Sequence, residues 1–204
     1  MRSEDHLALG LYLLSRENSP QLRRHCIAFL IGCIEPDYNQ FSYLRGIVHH
    51  RKFRGHNAEN SFAFLTRCRK HFALHEASSA WDFFKLGTML HYAADAFTWP
   101  HNAFWPGTLL GHVRYERALH PVFAAFLRTE PAASAACFDE ASLHEAYANA
   151  EHSMETDCRF IFAACSSLLR QELERIPAEA VQPDAFAGLN WPTDDFPLRT
   201  EAVL

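Results

Sequence analysis

The sequence predicts an all-α protein organised as a multi-helix single domain. Apolar residues recur three and four positions apart, and no stretch shows the sustained alternation of a half-buried strand. The chain has 204 residues, of which 49% are hydrophobic and 21% are charged, so it is long enough to bury a core. These values exclude a disordered chain. No apolar run approaches the roughly 18 residues that a membrane-spanning helix needs.

Six helices are predicted from the apolar periodicity and from start and stop signals. Ser3 caps the first helix, Pro20 lies at the start of the second, and Pro36 ends the second. The Trp99–Pro100 pair ends the fourth helix, because proline disfavours helical backbone in the residue before it. The predicted ranges are 4–18, 20–34, 57–72, 79–97, a fifth from 107–110 to 126, and 140–176.

Two segments are predicted to be irregular. Residues 35–55 form a long connection with a basic run from His49 to Arg54, and such connections in compact domains are commonly functional or disordered. Residues 177–204 contain four prolines and are expected to form an irregular tail. The chain is therefore expected to consist of one helical domain over 1–176, with the tail packed on or near it.

The composition also restricts the function classes. Lys and Arg total 19 against 24 Asp and Glu, a formal charge of −5, which is the wrong sign for a stable complex with nucleic acid. The six cysteines include no C-x-x-C pair, so we expect no disulfide and no thiolate zinc site. Glu4 and Asp5 lie where a signal peptide carries positive charge, and no small-residue cleavage site follows. The sequence therefore predicts a cytoplasmic protein.

Histidines paired with carboxylates are the candidate site. The chain has 13 histidines, and His91 with Asp95 and His112 with Glu116 are each four residues apart, so both members of a pair can reach one cation. Spacing alone is weak evidence. Chance predicts roughly 2.4 pairs in which a His is followed four residues later by Asp, Glu or His, and the sequence has three, the third being His71 with His75. Context is stronger, since these pairs and His6 lie on faces that are otherwise packed. The alternatives are a satisfied core histidine at His6 and a metal-free, hydrogen-bonded pair of His91 and Asp95.

Several motifs follow one another in a characteristic order. They are His6, Glu35-Pro36-Asp37, Gly55-His56-Asn57, Gly87-x3-His91-Tyr92-x2-Asp95-x-Phe97, Pro100-His101-Asn102 and Gly111-His112-x2-Tyr115-Glu116. Their order and spacing resemble those of the zinc-dependent phospholipase C family, which shares its fold with the S1/P1 nucleases. The resemblance extends from His6 to Glu116, a little over half of the chain.

The resemblance implies an all-α fold of the phospholipase C / P1 nuclease type with a multinuclear metal cleft that holds two to three zinc ions. One zinc would be bound by Asp37, His56, His91 and Asp95, a second by His101, His112 and Glu116, and a third by His6 with Asp95 as a shared ligand. Asp37 would also orient or deprotonate a metal-bound water. The sequence departs from the pattern at the third site, because secreted members complete it with an amino-terminal tryptophan and this sequence has Met1. Asn57 and Asn102 would orient the imidazoles beside them.

The function implied is that of a zinc-dependent phosphodiester hydrolase that uses metal-activated water, with phospholipid as a candidate substrate. Two alternatives stay open. One is a nuclease of the S1/P1 type, and the other is a non-catalytic, metal-stabilised helical binding protein. A di-iron carboxylate bundle is disfavoured, because that site uses Glu-x-x-His motifs and this sequence has His-x3-Asp and His-x3-Glu.

Overall fold

The computed structural model describes residues 1–38, 57–75, 77–129, 131 and 139–176. In these ranges the chain forms eight α-helices, one 3₁₀ helix and no strand, which confirms the all-α prediction. The α-helices are α1 (Ser3–Arg16), α2 (Pro20–Arg24), α3 (Cys26–Tyr38), α4 (Ala58–Leu74), α5 (Ala80–Ala96), α6 (Leu109–Arg128), α7 (Glu140–Asn149) and α8 (Met154–Glu174), and the 3₁₀ helix is Trp99–His101.

Short polar side chains fix where several helices begin. Asn57, Thr108 and Ser153 each accept a hydrogen bond from a backbone N–H in the first turn of the helix that follows. Ser79 forms a reciprocal capping box with Asp82 at the start of α5. These local signals explain why the predicted starts of α4 and α5 agree with the structure to within one residue.

Two predicted helices are each divided in the structure. The helix predicted over 20–34 consists of α2 and α3, which meet at His25, where the backbone leaves helical geometry. The helix predicted over 140–176 consists of α7 and α8, because Ser153 caps a new helix after a short break.

The prediction that Pro36 ends a helix is wrong. Pro36 is buried inside α3, which continues to Tyr38. A proline costs one backbone hydrogen bond, and here the loss falls in the last turn, where it disturbs little of the helix. The additional residues of α3 carry Asp37 towards His91 on α5. The end of α3 therefore contributes a side chain to the candidate site. The rest of the predicted 35–55 connection, and the tail over 177–204, lie outside the described residues.

Helix α5 lies at the centre of the fold and runs parallel to α3. The His25 ring stacks on Phe83 near the start of both helices, and the Asp37 carboxylate lies 3.7 Å from His91 near their ends. The two backbones touch at Gly87, where an added Cβ would lie 2.0 Å from the Phe29 carbonyl oxygen. Glycine is required at this crossing because no side chain fits between the helices.

The buried core surrounds α5 and includes residues of α1, α3, α4, α6 and α8. The described cysteines are free thiols, and Cys137 lies outside the described residues. None of the described helices has the combination of length and hydropathy that crossing a bilayer requires.

Candidate metal centre

Asp95, on α5, is the point where the candidate ligands meet. Its carboxylate is 1% exposed and faces inward beside His91, four residues earlier on the same helix. The Asp95 oxygens lie 3.3 Å from His6 Nε2, 3.4 Å from His91 Nε2 and 3.6 Å from His101 Nδ1. One buried carboxylate therefore contacts histidines from three different elements, namely α1, α5 and the 3₁₀ helix.

The first ligand group consists of His6, His91 and Asp95, whose candidate ligand atoms lie within 4.8 Å of one another. The His6 and His91 rings stack with centroids 3.9 Å apart, so that both present Nε2 to Asp95. His91 Nδ1 donates a hydrogen bond to the Cys33 carbonyl oxygen at 2.9 Å. A carbonyl only accepts, so this bond places a proton on Nδ1 and turns Nε2 towards Asp95 as the candidate ligand atom.

The second ligand group consists of His101, His112 and Glu116, also within 4.8 Å of one another. Glu116 Oε1 lies 3.1 Å from His101 Nε2 and 2.9 Å from His112 Nε2. His112 and Glu116 are one turn apart on α6, whereas His101 comes from the 3₁₀ helix that follows α5. The helix stop at Trp99–Pro100 therefore turns the chain so that His101 faces α6.

Two further groups complete the site. The Met1 amino group lies 2.9 Å from Asp95 Oδ1 and 3.0 Å from Glu116 Oε1, so it bridges the two ligand groups. Asp37 Oδ1 lies 3.7 Å from His91 Nε2, and the Ser3 hydroxyl donates a hydrogen bond to Asp37 Oδ2 at 2.7 Å. Seven of the eight predicted ligands thus lie together, and His56 lies outside the described residues.

Burial and neighbouring charges shift the pKa values of the candidate ligands in both directions. Burial acts to lower the pKa of His91, but the carboxylates of Asp95 and Asp37 raise it above its usual value. Burial and the neighbouring His91 lower the pKa of His6 to about 4, and burial also lowers the pKa of His101. Both imidazoles are therefore neutral at pH 7, the form that binds a metal. Burial alone would raise the pKa of Glu116, but the Met1 amino group and the neighbouring histidines hold it well below its usual range.

The same residues fit a zinc centre. The buried His6 Nε2 makes no hydrogen bond to the part of the chain that the structure describes, although it faces the Asp95 carboxylate. The ammonium group of Met1 stands between Asp95 and Glu116 as a cation held by both carboxylates, and they raise its pKa to about 11 although burial acts to lower it. Imidazole nitrogen and carboxylate oxygen without thiolate are ligands that zinc accepts.

The comparison with known families agrees with this geometry. The sequence model described as zinc dependent phospholipase C matches residues 5–173, which is most of the chain. The chain belongs to this family. No curated protein and no solved structure matched the sequence. The family match includes both ligand groups and nearly all of α8, so it extends well beyond the motifs from His6 to Glu116.

Asp157, on α8, is a buried acid that sequence reasoning missed. Its side chain is fully buried and accepts hydrogen bonds from the Trp99 N–H at 2.9 Å, the Tyr115 hydroxyl at 3.0 Å and the Tyr147 hydroxyl at 2.7 Å. Burial raises the pKa of Asp157 to about 6 despite these donors. Trp99 begins the 3₁₀ helix, so this network holds the turn that presents His101. The one signal in the sequence is that Asp157 shares a helix face with apolar residues.

The two asparagines that were expected to orient imidazoles have other contacts. Asn57 accepts the Asn60 N–H at 2.9 Å and so caps α4, while its neighbour His56 is outside the described residues. Asn102 donates to the carbonyls of Ala96 and Thr98, and its Oδ1 lies 2.8 Å from His144 Nε2. Asn102 therefore holds the turn around His101 and accepts a hydrogen bond from the imidazole of His144.

Proposed function

We propose that this protein hydrolyses a phosphodiester by means of metal-activated water, in the manner of a phospholipase C. Membership of the zinc-dependent family supports a metal-dependent phosphoesterase. The observation that most supports the finer proposal is that Asp95 contacts His6, His91 and His101, so that one buried carboxylate joins two ligand groups. Sites with two or more adjacent metals are suited to in-line displacement at phosphorus.

The proposed ligand sets follow the grouping of side chains. His101, His112 and Glu116 would hold one zinc. Asp95, His91, Asp37 and His56 would hold another, and His6 would bind a third together with Asp95. Two to three zinc ions are therefore proposed, with the His6 site as the least complete. Bound zinc would polarise a phosphoryl oxygen and lower the pKa of a bound water.

Asp37 is the proposed base that orients the attacking water and accepts its proton. One of its oxygens is fixed by the Ser3 hydroxyl, and the other points towards His91. The Asp37 side chain is 19% exposed, in contrast to the buried Asp95, so it lies where water enters. A carboxylate held in this way can take up a proton without losing its orientation.

A cavity at this edge of the site is the proposed route of access for the substrate. It has a volume of about 360 Å³, within the range of small-molecule sites, and its lining is mostly polar: Met1, Arg2, Ser3, Glu4, Asp37, Tyr38 and Glu116. Because the cavity borders Asp37 and Glu116, which are each nearly one-fifth exposed, the described residues leave the ligand groups open on this side. This openness favours a catalytic site over a closed structural metal site.

The test is the hydrolysis of bis(p-nitrophenyl) phosphate by the zinc-loaded protein. The Asp37→Asn variant should retain its fold and most of its zinc while kcat falls by about 100-fold or more, the usual contribution of a positioned base. Asp82→Asn makes the same chemical change at the start of α5, remote from the site, and should leave kcat unchanged. Wild-type turnover in both Asp37→Asn and Asp95→Asn would refute the proposal.

Substrate class is decided by a direct comparison of phosphatidylcholine with single-stranded DNA. The proposal predicts hydrolysis of the phospholipid. Hydrolysis of the DNA without hydrolysis of the phospholipid would instead identify a nuclease of the S1/P1 type.

A further inference from the structure

An uncharged, exposed segment leads into α6. No Asp, Glu, Lys or Arg lies between Asp95 and Arg114, and residues 106–110 are all exposed. At the end of this segment Leu109 is 71% exposed, Leu110 is 60% exposed and Val113 is 39% exposed. These three side chains, the leucine patch, form adjacent apolar surface on the first turns of α6. Grouped exposed apolar side chains of this kind commonly mark an interaction surface.

The leucine patch lies beside the cavity of the candidate metal centre. Leu109 and Glu116 are seven residues apart, so they lie on nearly the same side of α6, about 10 Å apart along its axis. Glu116 lines the cavity together with Tyr38, which is 72% exposed at the end of α3. An apolar patch on α6 and an exposed tyrosine on α3 therefore flank the same opening.

Positive charge follows the leucine patch directly. Arg114 and Arg117 are exposed on α6, and neither forms an ion pair with another described residue. The chain as a whole carries a formal charge of −5, so this basic surface is local. Exposed leucines next to arginines on a helix are the combination that binds at the headgroup layer of a lipid surface.

We propose that the leucine patch docks this protein on a phospholipid surface. Leu109, Leu110 and Val113 enter the apolar edge of the lipid layer, while Arg114 and Arg117 contact lipid phosphates. The cavity beside Glu116 then opens towards the headgroups. This inference deepens the proposed function, on which it rests for the identity of the substrate.

The experiment measures co-sedimentation of the zinc-loaded protein with phosphatidylcholine vesicles, with and without phosphatidylglycerol. The double variant Leu109→Ser with Leu110→Ser should bind vesicles about tenfold or more weakly, because it removes the apolar contact. The double variant Arg114→Gln with Arg117→Gln should also bind vesicles more weakly, by about fivefold for each arginine removed. This loss should be seen mainly with vesicles that contain phosphatidylglycerol, because their surface is negatively charged.

Leu74→Ser is the matched control. Leu74 is 79% exposed at the end of α4, close in sequence to the start of α5, and α5 extends about 20 Å from there to Asp95. This variant should bind vesicles as the wild type does. Thermal unfolding of each variant shows whether the fold is kept, and Leu109→Ala and Leu110→Ala singly repeat the test with smaller changes.

Vesicle binding that is unchanged by the leucine variants, or weakened equally by Leu74→Ser, would overturn the proposal. Absence of vesicle binding by the wild type would also overturn it, and so would tight binding of single-stranded DNA that depends on the arginines alone. Hydrolysis of bis(p-nitrophenyl) phosphate is measured separately and should be unchanged in the leucine variants. Leucine-dependent vesicle binding by a protein that hydrolyses no diester would refute the proposed hydrolase and support the docking surface.

Discussion

Replacing Asp95 by Asn should remove most of the stabilisation that zinc gives to the protein. Asp95 is 1% exposed, and its two oxygens contact His6, His91 and His101, so the change affects both ligand groups at once. An amide has nearly the shape of a carboxylate but carries no charge and offers only one oxygen. The variant is therefore expected to keep the fold and lose zinc affinity.

The expected size of the effect can be worked out for thermal unfolding. At a free zinc concentration 100 times the dissociation constant, binding stabilises the folded chain by about 2.7 kcal/mol. For a chain of this size that free energy corresponds to a rise in Tm of about 5–11 °C. If the amide weakens binding about 100-fold, the same zinc concentration stabilises the variant by only about 0.4 kcal/mol, or about 1–2 °C.

The assay is circular dichroism at helical wavelengths during heating, with and without zinc. Asp82→Asn is the control, because Asp82 is also on α5 but belongs to the capping box at the opposite end. This control should unfold at a lower temperature in both conditions, and its zinc-induced shift should equal that of the wild type. A shift in Asp95→Asn as large as in the wild type would refute the reasoning.

Three further predictions concern pH, packing and the buried acid. Because the pKa of His6 falls from 6.5 to about 4 on folding, protonation of His6 should cost the metal-free protein about 3 kcal/mol of stability as pH falls from about 6.5 to 4. The raised pKa of Asp157 acts in the opposite direction over the same range, so the His6 contribution is measured as a difference: in urea unfolding, the stability of the wild type relative to His6→Gln should fall by about 3 kcal/mol between pH 6.5 and pH 4. Gly87→Ala should destabilise the fold strongly, since its Cβ would lie 2.0 Å from a carbonyl oxygen of α3, whereas Gly111→Ala, with no atom nearer than 3.5 Å, should be close to neutral in the same urea assay. Tyr147→Phe leaves one Asp157 oxygen without its donor and should cost about 1–3 kcal/mol, with no change in zinc content by mass spectrometry.

Local signals explain the parts of the fold that the sequence predicts well. The helix predicted over 79–97 is observed as Ala80–Ala96, because a capping box and the following proline mark its two ends. Pro36 misled the prediction because its effect on a helix depends on how near the end it lies, and the end of α3 lies two residues later, at Tyr38. The division of the last predicted helix at Ser153 also went unnoticed, since one serine is a weak signal within a long periodic segment.

In the candidate site, too, the sequence predicts contacts between residues that are close along the chain and misses contacts between residues that are far apart. Pairs such as His91 with Asp95 are visible in the sequence because helix geometry places them on one face. The contact of the Met1 amino group with Asp95 joins residues 94 positions apart, and nothing local predicts it. The same holds for Asp157, whose three donors come from separate parts of the chain.

The metal content of the purified protein tests most directly whether the residues around Asp95 bind zinc. Plasma mass spectrometry of the untagged protein, purified without chelator and without added metal, should find two to three zinc equivalents per chain, and chelation should remove them together with thermal stability. A protein that carries no metal, and that zinc does not stabilise, would contradict the account, because the histidines around Asp95 would then be core residues and not ligands.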